Sequence, residues 1–265
     1  MKELGINLYA AYAGSGLTTA ELAKEIASIG FECTFCSTST PEQMKDVEKA
    51  VHSAGLFFDQ LHAPFNTINN MWRAGDEGDA TYKVLTDAID CCVALDAPIA
   101  TVHLSSGPNP PMINDIGRGR YTNLVEYAAK RGIKIAFENQ RKLYNLAWSF
   151  AEFKDAENVG FCWDTGHEAC ATPHIDMMAI FGDRLICTHL EDNNAVFNED
   201  LHILPFDGKV DFERAAKALK KHNYTGPLML EVGNENEIYK GMTTQEFLAR
   251  AYNAACRIRA MVDGE

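Results

Sequence analysis

The chain has 265 residues, 46% of them hydrophobic and 23% charged, enough to bury one large core and too apolar for a disordered tail. No run approaches the roughly 18 to 20 apolar residues that span a bilayer, so a soluble protein is expected. With 24 Lys and Arg against 37 Asp and Glu the formal charge is −13, which repels polyanions at long range and weighs against nucleic acid as a partner.

Met1 to Asn7 contains neither a signal-peptide apolar region nor a small-residue cleavage site, which points to the cytoplasm. Eight Cys are too dilute for a disulfide framework, and no second pair joins Cys33 and Cys36 in a zinc ribbon. The cysteines read as reduced thiols, mostly packed in the core.

In chain order, short β-branched or apolar runs alternate with amphipathic stretches, the pattern of βα units around a parallel sheet. Strands are predicted at Gly5–Tyr9, Glu32–Ser37, Phe57–Leu61, Ile99–Leu104, Lys134–Glu138, Val159–Trp163, Leu185–His189 and Leu228–Val232. Thr18-Thr19-Ala20-Glu21 is a capping-box start, and Gly30 closes that helix. Thr40-Pro41-Glu42 opens the second helix with Pro at its first position, and Ala54-Gly55 ends it. Arg131-Gly132 ends the fourth helix, and Val210-Asp211-Phe212-Glu213 opens the seventh. Eight strands and eight helices in this length predict an α/β protein, a single (β/α)8 TIM barrel over residues 1–265. No linker or composition shift marks a second domain.

Active sites in this fold lie at the C-terminal ends of the strands. There the chain carries Gln60-Leu61-His62, Val102-His103, Phe137-Glu138-Asn139, Trp163-Asp164-Thr165-Gly166-His167, Thr188-His189-Leu190-Glu191-Asp192 and Leu230-Glu231. Four of the eight His fall at such ends, and His202 follows in the loop after strand seven. Singly, each acid reads as a helix cap or solvated loop residue, and His62 and His103 as satisfied core histidines. Together, Glu138, Asp164 and Glu231 beside an apolar core need a cation. No Lys or Arg occurs in these motifs, so a divalent metal is the economical partner.

These residues resemble the xylose isomerase-like TIM-barrel superfamily of sugar isomerases and epimerases, inosose dehydratases, hydroxypyruvate isomerases and endonuclease IV-type enzymes. The resemblance spans essentially the whole chain and is most specific at Trp163–His167 and Thr188–Asp192. It implies one divalent ion held by Glu138, Asp164, His189 and Glu231, with manganese, zinc, magnesium and cobalt all suited to three carboxylates and one imidazole. It implies proton transfer next to a carbonyl through a metal-stabilised enediolate, with Glu138 and Glu231 as the catalytic acid and base and His167 bonded to a substrate oxygen. Depending on where the proton returns, the outcome is epimerisation, isomerisation or, with loss of a β-hydroxyl, dehydration of a keto-sugar or cyclitol. The expected partner is a sugar or polyol, contacted also by His62, His103, His202 and by Trp72 as an apolar platform. A homodimer is common in such barrels, although no residue here fixes it.

Departures bear on the substrate. Ketose 3-epimerases usually carry an Arg six residues after the metal His and a Glu six after the first metal Glu; here Ala195 and Tyr144 stand there, and Glu191 replaces a Lys of many relatives. Endonuclease IV-type enzymes hold three zinc ions with nine ligands, and His62, His103, Glu138, Asp164, His167, His189, Asp200, His202 and Glu231 match them, making Asp200 and His202 additional candidate metal ligands. Against a phosphodiesterase stand the acidic charge and the absence of clustered basic residues. A barrel that binds sugar without turnover is the remaining alternative, opposed by the intact metal quartet. Arg118 and Arg120 read as solvated residues leading into a helix, and Gly14-Ser15-Gly16 as a turn without the third glycine of a dinucleotide loop.

Overall fold

Alternation along each strand puts one face into a barrel and the other under the helices. The computed structural model describes residues 1–38 and 40–264. Its strands are β1 (Leu4–Asn7), β2 (Cys33–Ser37), β3 (Phe57–His62), β4 (Ile99–Val102), β5 (Lys134–Glu138), β6 (Val159–Asp164), β7 (Leu185–His189) and β8 (Leu228–Leu230). They pair in parallel in the order β7-β6-β5-β4-β3-β2-β1-β8. A parallel bridge between Leu190 and Leu230 joins the two ends of the ring, with Leu190 N donating to Met229 O at 2.8 Å. This is the (β/α)8 TIM barrel expected from the sequence.

Around it lie α1 (Thr19–Ile29), α2 (Pro41–Ser53), α3 (Asp76–Leu95), α4 (Asp115–Ala129), α5 (Leu143–Glu152), α6 (Thr165–Ala171), α7 (Met177–Phe181), α8 (Phe212–Lys221) and α9 (Thr244–Asp263). The capping signals act as written. Thr18 and Glu21 form the capping box of α1, which ends on Gly30 at φ +119°. Thr40 caps α2 ahead of Pro41, and Asp211 caps α8. The described residues hold nine α-helices rather than eight, because β6 is followed by two short ones. Pro173 cannot continue α6, and Asp176 starts α7 by accepting from Ala179 N at 2.9 Å.

Three strands stop two residues earlier than predicted because other groups take over their pairing. Asn7 ends β1 and uses its side-chain amide as a strand mimic, donating to Val232 O and accepting from Val232 N, both at 2.9 Å, just past the end of β8. Beyond β4, Leu104 O accepts from Trp72 Nε1 at 2.8 Å. β3 and β6 run one residue further, to His62 and Asp164.

The period of two fixes the height of the site. Ala136, Cys162 and Cys187 pack with Ile99 in one small cluster, and Met229 packs with Cys33 and Phe35 in another. Two residues beyond Ala136, Cys162, Cys187 and Met229 stand Glu138, Asp164, His189 and Glu231. Apolar clusters in the barrel therefore lie directly beneath all four. The eight cysteines are thiols, seven of them buried. Burial pushes the Cys36 thiol up to about 12, so the Cys33–Cys36 pair is core rather than reactive.

Trp72 departs from the platform role. Its indole is 2% exposed, bonded to Leu104 O and packed on Tyr121 and Trp148 at ring distances of 5.2 and 5.1 Å. A Cβ on Gly117 of α4 would run into this ring. Arg120 donates to the carbonyls of Asn70, Met71 and Arg73 and pairs with Asp79, while Arg118 stays half exposed between Asp115 and Glu152. The β3–α3 connection is thus a packed rim. Gly117→Ala is expected to destabilise the protein by about 1–3 kcal/mol through overpacking, despite the roughly 1 kcal/mol that Ala gains over Gly in a helix; denaturant unfolding measures it, and an unchanged midpoint contradicts this packing.

Candidate metal centre and active site

Nine of the ten residues singled out in the sequence meet around one cavity of about 360 Å³ at the C-terminal end of the barrel; the tenth, Trp72, faces elsewhere. His62, His103, Glu138, His167, Asp200, His202 and Glu231 line the cavity. Asp164 and His189 are fully buried and join Glu138 and Glu231 in a cluster whose ligand atoms all lie within 4.8 Å of one another.

Within that quartet, His189 Nδ1 lies 2.8 Å from Glu231 Oε2 and 3.6 Å from Glu138 Oε2. Gln60 Oε1 sits 3.2 Å from His189 Nε2, so that nitrogen donates and the Nδ1 face is turned to the carboxylates. Gln60 is itself held by the Thr101 hydroxyl and by donation to Thr188 O. Phe35 stacks under the His189 ring at 4.8 Å. Asn139 locks the Asp164 backbone, donating to its carbonyl and accepting from its N–H, both at 2.8 Å. Asp164 Oδ1 accepts from His167 N at 2.6 Å, whereas Asp164 Oδ2 is buried without a hydrogen-bond partner and His189 Nδ1 has only its ion-pair contacts with Glu231 and Glu138.

The remaining residues form a shell around Glu138. His103 Nε2 and His62 Nε2 lie 3.0 and 3.3 Å from its Oε2, and His167 Nδ1 lies 2.7 Å from its Oε1. His167 Nε2 reaches Asp200 Oδ2 at 2.9 Å, so this imidazole bridges two carboxylates. His202, at φ +45°, places Nδ1 3.2 Å from Glu231 O and Nε2 3.5 Å from Asp200 Oδ1.

The ionisation pattern follows from this crowding. Burial pushes Asp164 up to about 7, helped by Glu138 and Glu231 and opposed by His167. Burial also opposes the charge on Glu231 and Glu138, but His189 holds Glu231 down at about 2, and His103, His167 and His62 hold Glu138 well below the carboxylate range. Burial lowers His189, yet Glu231, Glu138 and Asp164 raise it to about 10. His103 is lowered by burial. Glu191, buried with neither oxygen hydrogen-bonded, is pushed well up by burial and by Asp164.

Two buried carboxyls, a third that is partly exposed, and an imidazole, with Asp164 Oδ2 left unpartnered, fit a divalent cation. His62, His103 and Glu138, and Glu191, Asp200 and His202, form two further groups of close ligand atoms. Sequence reasoning missed Gln60, whose role shows only once β3 faces β7, and Phe65, which takes the position expected of Trp72. Phe65 is 41% exposed, lines the cavity and stacks on His103 at 4.5 Å. It also missed Gln140, which donates to Glu138 Oε1 at 3.2 Å, and Arg141 on the rim; both follow the Glu138-Asn139 motif directly.

The fold and this ring of acids and imidazoles define a TIM barrel with a candidate metal centre at its C-terminal mouth. The chain belongs to the xylose isomerase-like TIM barrel family, whose profile matches residues 20–251. An uncharacterized protein of Sinorhizobium fredii is 29% identical over 68% of the chain, the match spanning 60% of that relative's length. Among solved structures, D-psicose 3-epimerase from Clostridium cellulolyticum H10 superposes with a TM-score of 0.79 at 16% identity over 99% of both chains. D-allulose 3-epimerase from Methylomonas sp. gives 0.74 at 18% identity over 97% of this chain and 96% of its own. At such identities the likeness is one of fold. No described helix is long and apolar enough to cross a membrane.

Two outcomes are expected. Gln60→Met removes the acceptor that orients His189 and should weaken Mn²⁺ or Zn²⁺ binding about 10- to 100-fold, read by competition with a chromophoric chelator. Because a cation needs the Nδ1 lone pair, binding displaces a proton from His189, so affinity should rise about tenfold per pH unit from about pH 7.5 to 9, and more steeply below pH 7, where Asp164 also gives up a proton. A flat profile contradicts this ligation.

Proposed function

We propose that the protein is a divalent-metal-dependent sugar isomerase or epimerase that moves a proton at a carbon next to a carbonyl. The observation that carries this reading is the placement of Glu138 and Glu231, which belong to the four-residue cluster and also line the cavity. When bound, a divalent ion supplies a chelating point for neighbouring substrate oxygens and positive charge against developing negative charge.

The chain's own groups do the rest. One of the two glutamates takes the proton from carbon and the other returns one that it has first taken up from solvent, so the face and carbon of return decide between epimer and isomer. His167, whose Nδ1 and Nε2 face Glu138 and Asp200, donates to a substrate oxygen by exchanging one of these carboxylates for it. Phe65 covers the sugar and keeps water from the reacting carbon. Loss of a β-hydroxyl after the same proton abstraction would give dehydration, the alternative outcome on a keto-sugar or cyclitol. Ala195 and Tyr144, standing where ketose 3-epimerases usually carry Arg and Glu, favour a substrate other than a simple neutral ketohexose.

One arrangement favours a second reading, a three-zinc phosphodiesterase: the two additional ligand groups flanking the quartet. The formal charge of −13 and the presence of a single basic side chain among the cavity's lining residues oppose it. Duplex DNA with an abasic site should be neither bound at physiological salt nor cut.

The sugar reading is tested by solvent deuterium exchange. Ketoses incubated with the metal-loaded enzyme in D₂O should gain deuterium next to the carbonyl by NMR, and Glu138→Gln or Glu231→Gln should abolish this while circular dichroism shows an intact barrel. Full exchange in either variant rejects the assigned proton path.

A further inference from the structure

The cavity has two ends of opposite character. Its inner end holds Glu138, with a side chain closed to solvent, beside Asp164 and His189. Its outer rim carries Arg141, side chain 17% exposed, next to exposed Asn198 and Pro108. Arg141 is the one Lys or Arg among the residues lining this cavity.

The guanidinium is anchored through one nitrogen. Nε donates to Asn198 Oδ1 at 2.6 Å, which fixes the plane of the group. The terminal nitrogens are poorly used: one reaches Gln140 Oε1 at 3.4 Å and the other comes no nearer to Asp200 Oδ2 than 3.8 Å. That Asp200 oxygen already accepts from His167 at 2.9 Å, and His202 faces the other oxygen, so Asp200 is balanced without the arginine. An arginine held by Nε with its two terminal amino groups left over presents the fork that matches a carboxylate or phosphate in two parallel bonds.

The same cavity is lined by Ser106 and Gly107. Asn69 clamps Ser106, accepting from its N–H at 3.0 Å and donating to its carbonyl at 2.9 Å. The Ser106 hydroxyl and the Gly107 N–H have no hydrogen-bond partner among the described residues. Gly107 adopts φ +72°, a conformation that glycine takes without strain. The cavity thus offers a fixed guanidinium and two unused donors away from the metal-type end.

Resting on the sugar reading, we propose that Arg141, with Ser106 and Gly107, binds an anionic group, phosphate or carboxylate, on the end of the substrate remote from Glu138 and Glu231. The substrate class is then a sugar phosphate or a sugar acid rather than a neutral sugar. This accords with the missing ketose 3-epimerase residues at 144 and 195, and it gives a net acidic protein a local means of holding an anion.

The test uses the metal-loaded full chain and separates the subsite from the sugar chemistry. Inorganic phosphate and, separately, acetate are titrated calorimetrically into the wild type, Arg141→Gln and Arg141→Lys. At least one anion should bind, weakening tenfold or more in Arg141→Gln and less in Arg141→Lys; phosphate alone binding points to phosphate esters, acetate alone to sugar acids. If neither anion binds, or Arg141→Gln binds as the wild type does, the proposal is overturned.

In the second arm D-fructose is compared with D-fructose 6-phosphate and a keto-uronate by deuterium exchange. The anionic compounds should be preferred by tenfold or more in kcat/KM, and Arg141→Gln should erase that preference mainly through KM. Arg141-dependent anion binding with no exchange on any sugar keeps the subsite and rejects the sugar reading. Exchange on neutral sugars without Arg141-dependent binding does the reverse.

Discussion

The structure turns on the burial of carboxyl groups at one end of a parallel barrel. Glu138, Asp164 and Glu191 are almost wholly shut off from solvent, and Asp200 and Glu231 stand beside them. Isolated charges in such a place cost far more than a fold can supply. In the protein alone, the compensation comes from protons: His167, His189 and His202 are held charged by the acids they touch, and Asp164 and Glu191 are pushed toward their neutral forms. A divalent cation at the quartet would do the same with one centre and would give Asp164 Oδ2 a partner.

The barrel carries this crowding on apolar packing directly beneath it. Cys162 and Cys187, with Ala136 and Met229, occupy the positions two residues before the four ligands, and Phe35 stacks under His189. Three side-chain amides then hold what this packing cannot. Asn7 ties β1 to the residues after β8, Asn139 clamps Asp164, and Gln60 orients the His189 ring. Chemistry at the mouth inherits its precision from these amides, which the strands alone would not provide.

The barrel was readable from alternation and capping, seven of the nine polar residues from their recurrence at strand ends, and His202 and Asp200 from the loop after β7 and the family resemblance. What escaped was everything that depends on which strands face each other. Trp72 looked like a sugar platform because a loop tryptophan near a site has that use, but Gly117 opens a slot that takes the indole into the rim, and Phe65 covers the cavity instead. The split of the helix after β6 was written in Pro173 and Asp176 and was overlooked. Arg141 was hidden by its plainness: a basic residue three positions after Glu138 says nothing until Asn198, from a loop 57 residues on, fixes its direction.

Metal content tests the central claim most directly. Protein purified without chelator or added metal, and a matched Asp164→Asn variant, would be measured by plasma mass spectrometry against protein concentration. The account predicts about one manganese, cobalt, zinc or magnesium ion per chain in the wild type and its loss in the variant. No bound divalent ion after reconstitution would contradict it, and three zinc ions per chain would replace the sugar reading with the phosphodiesterase one.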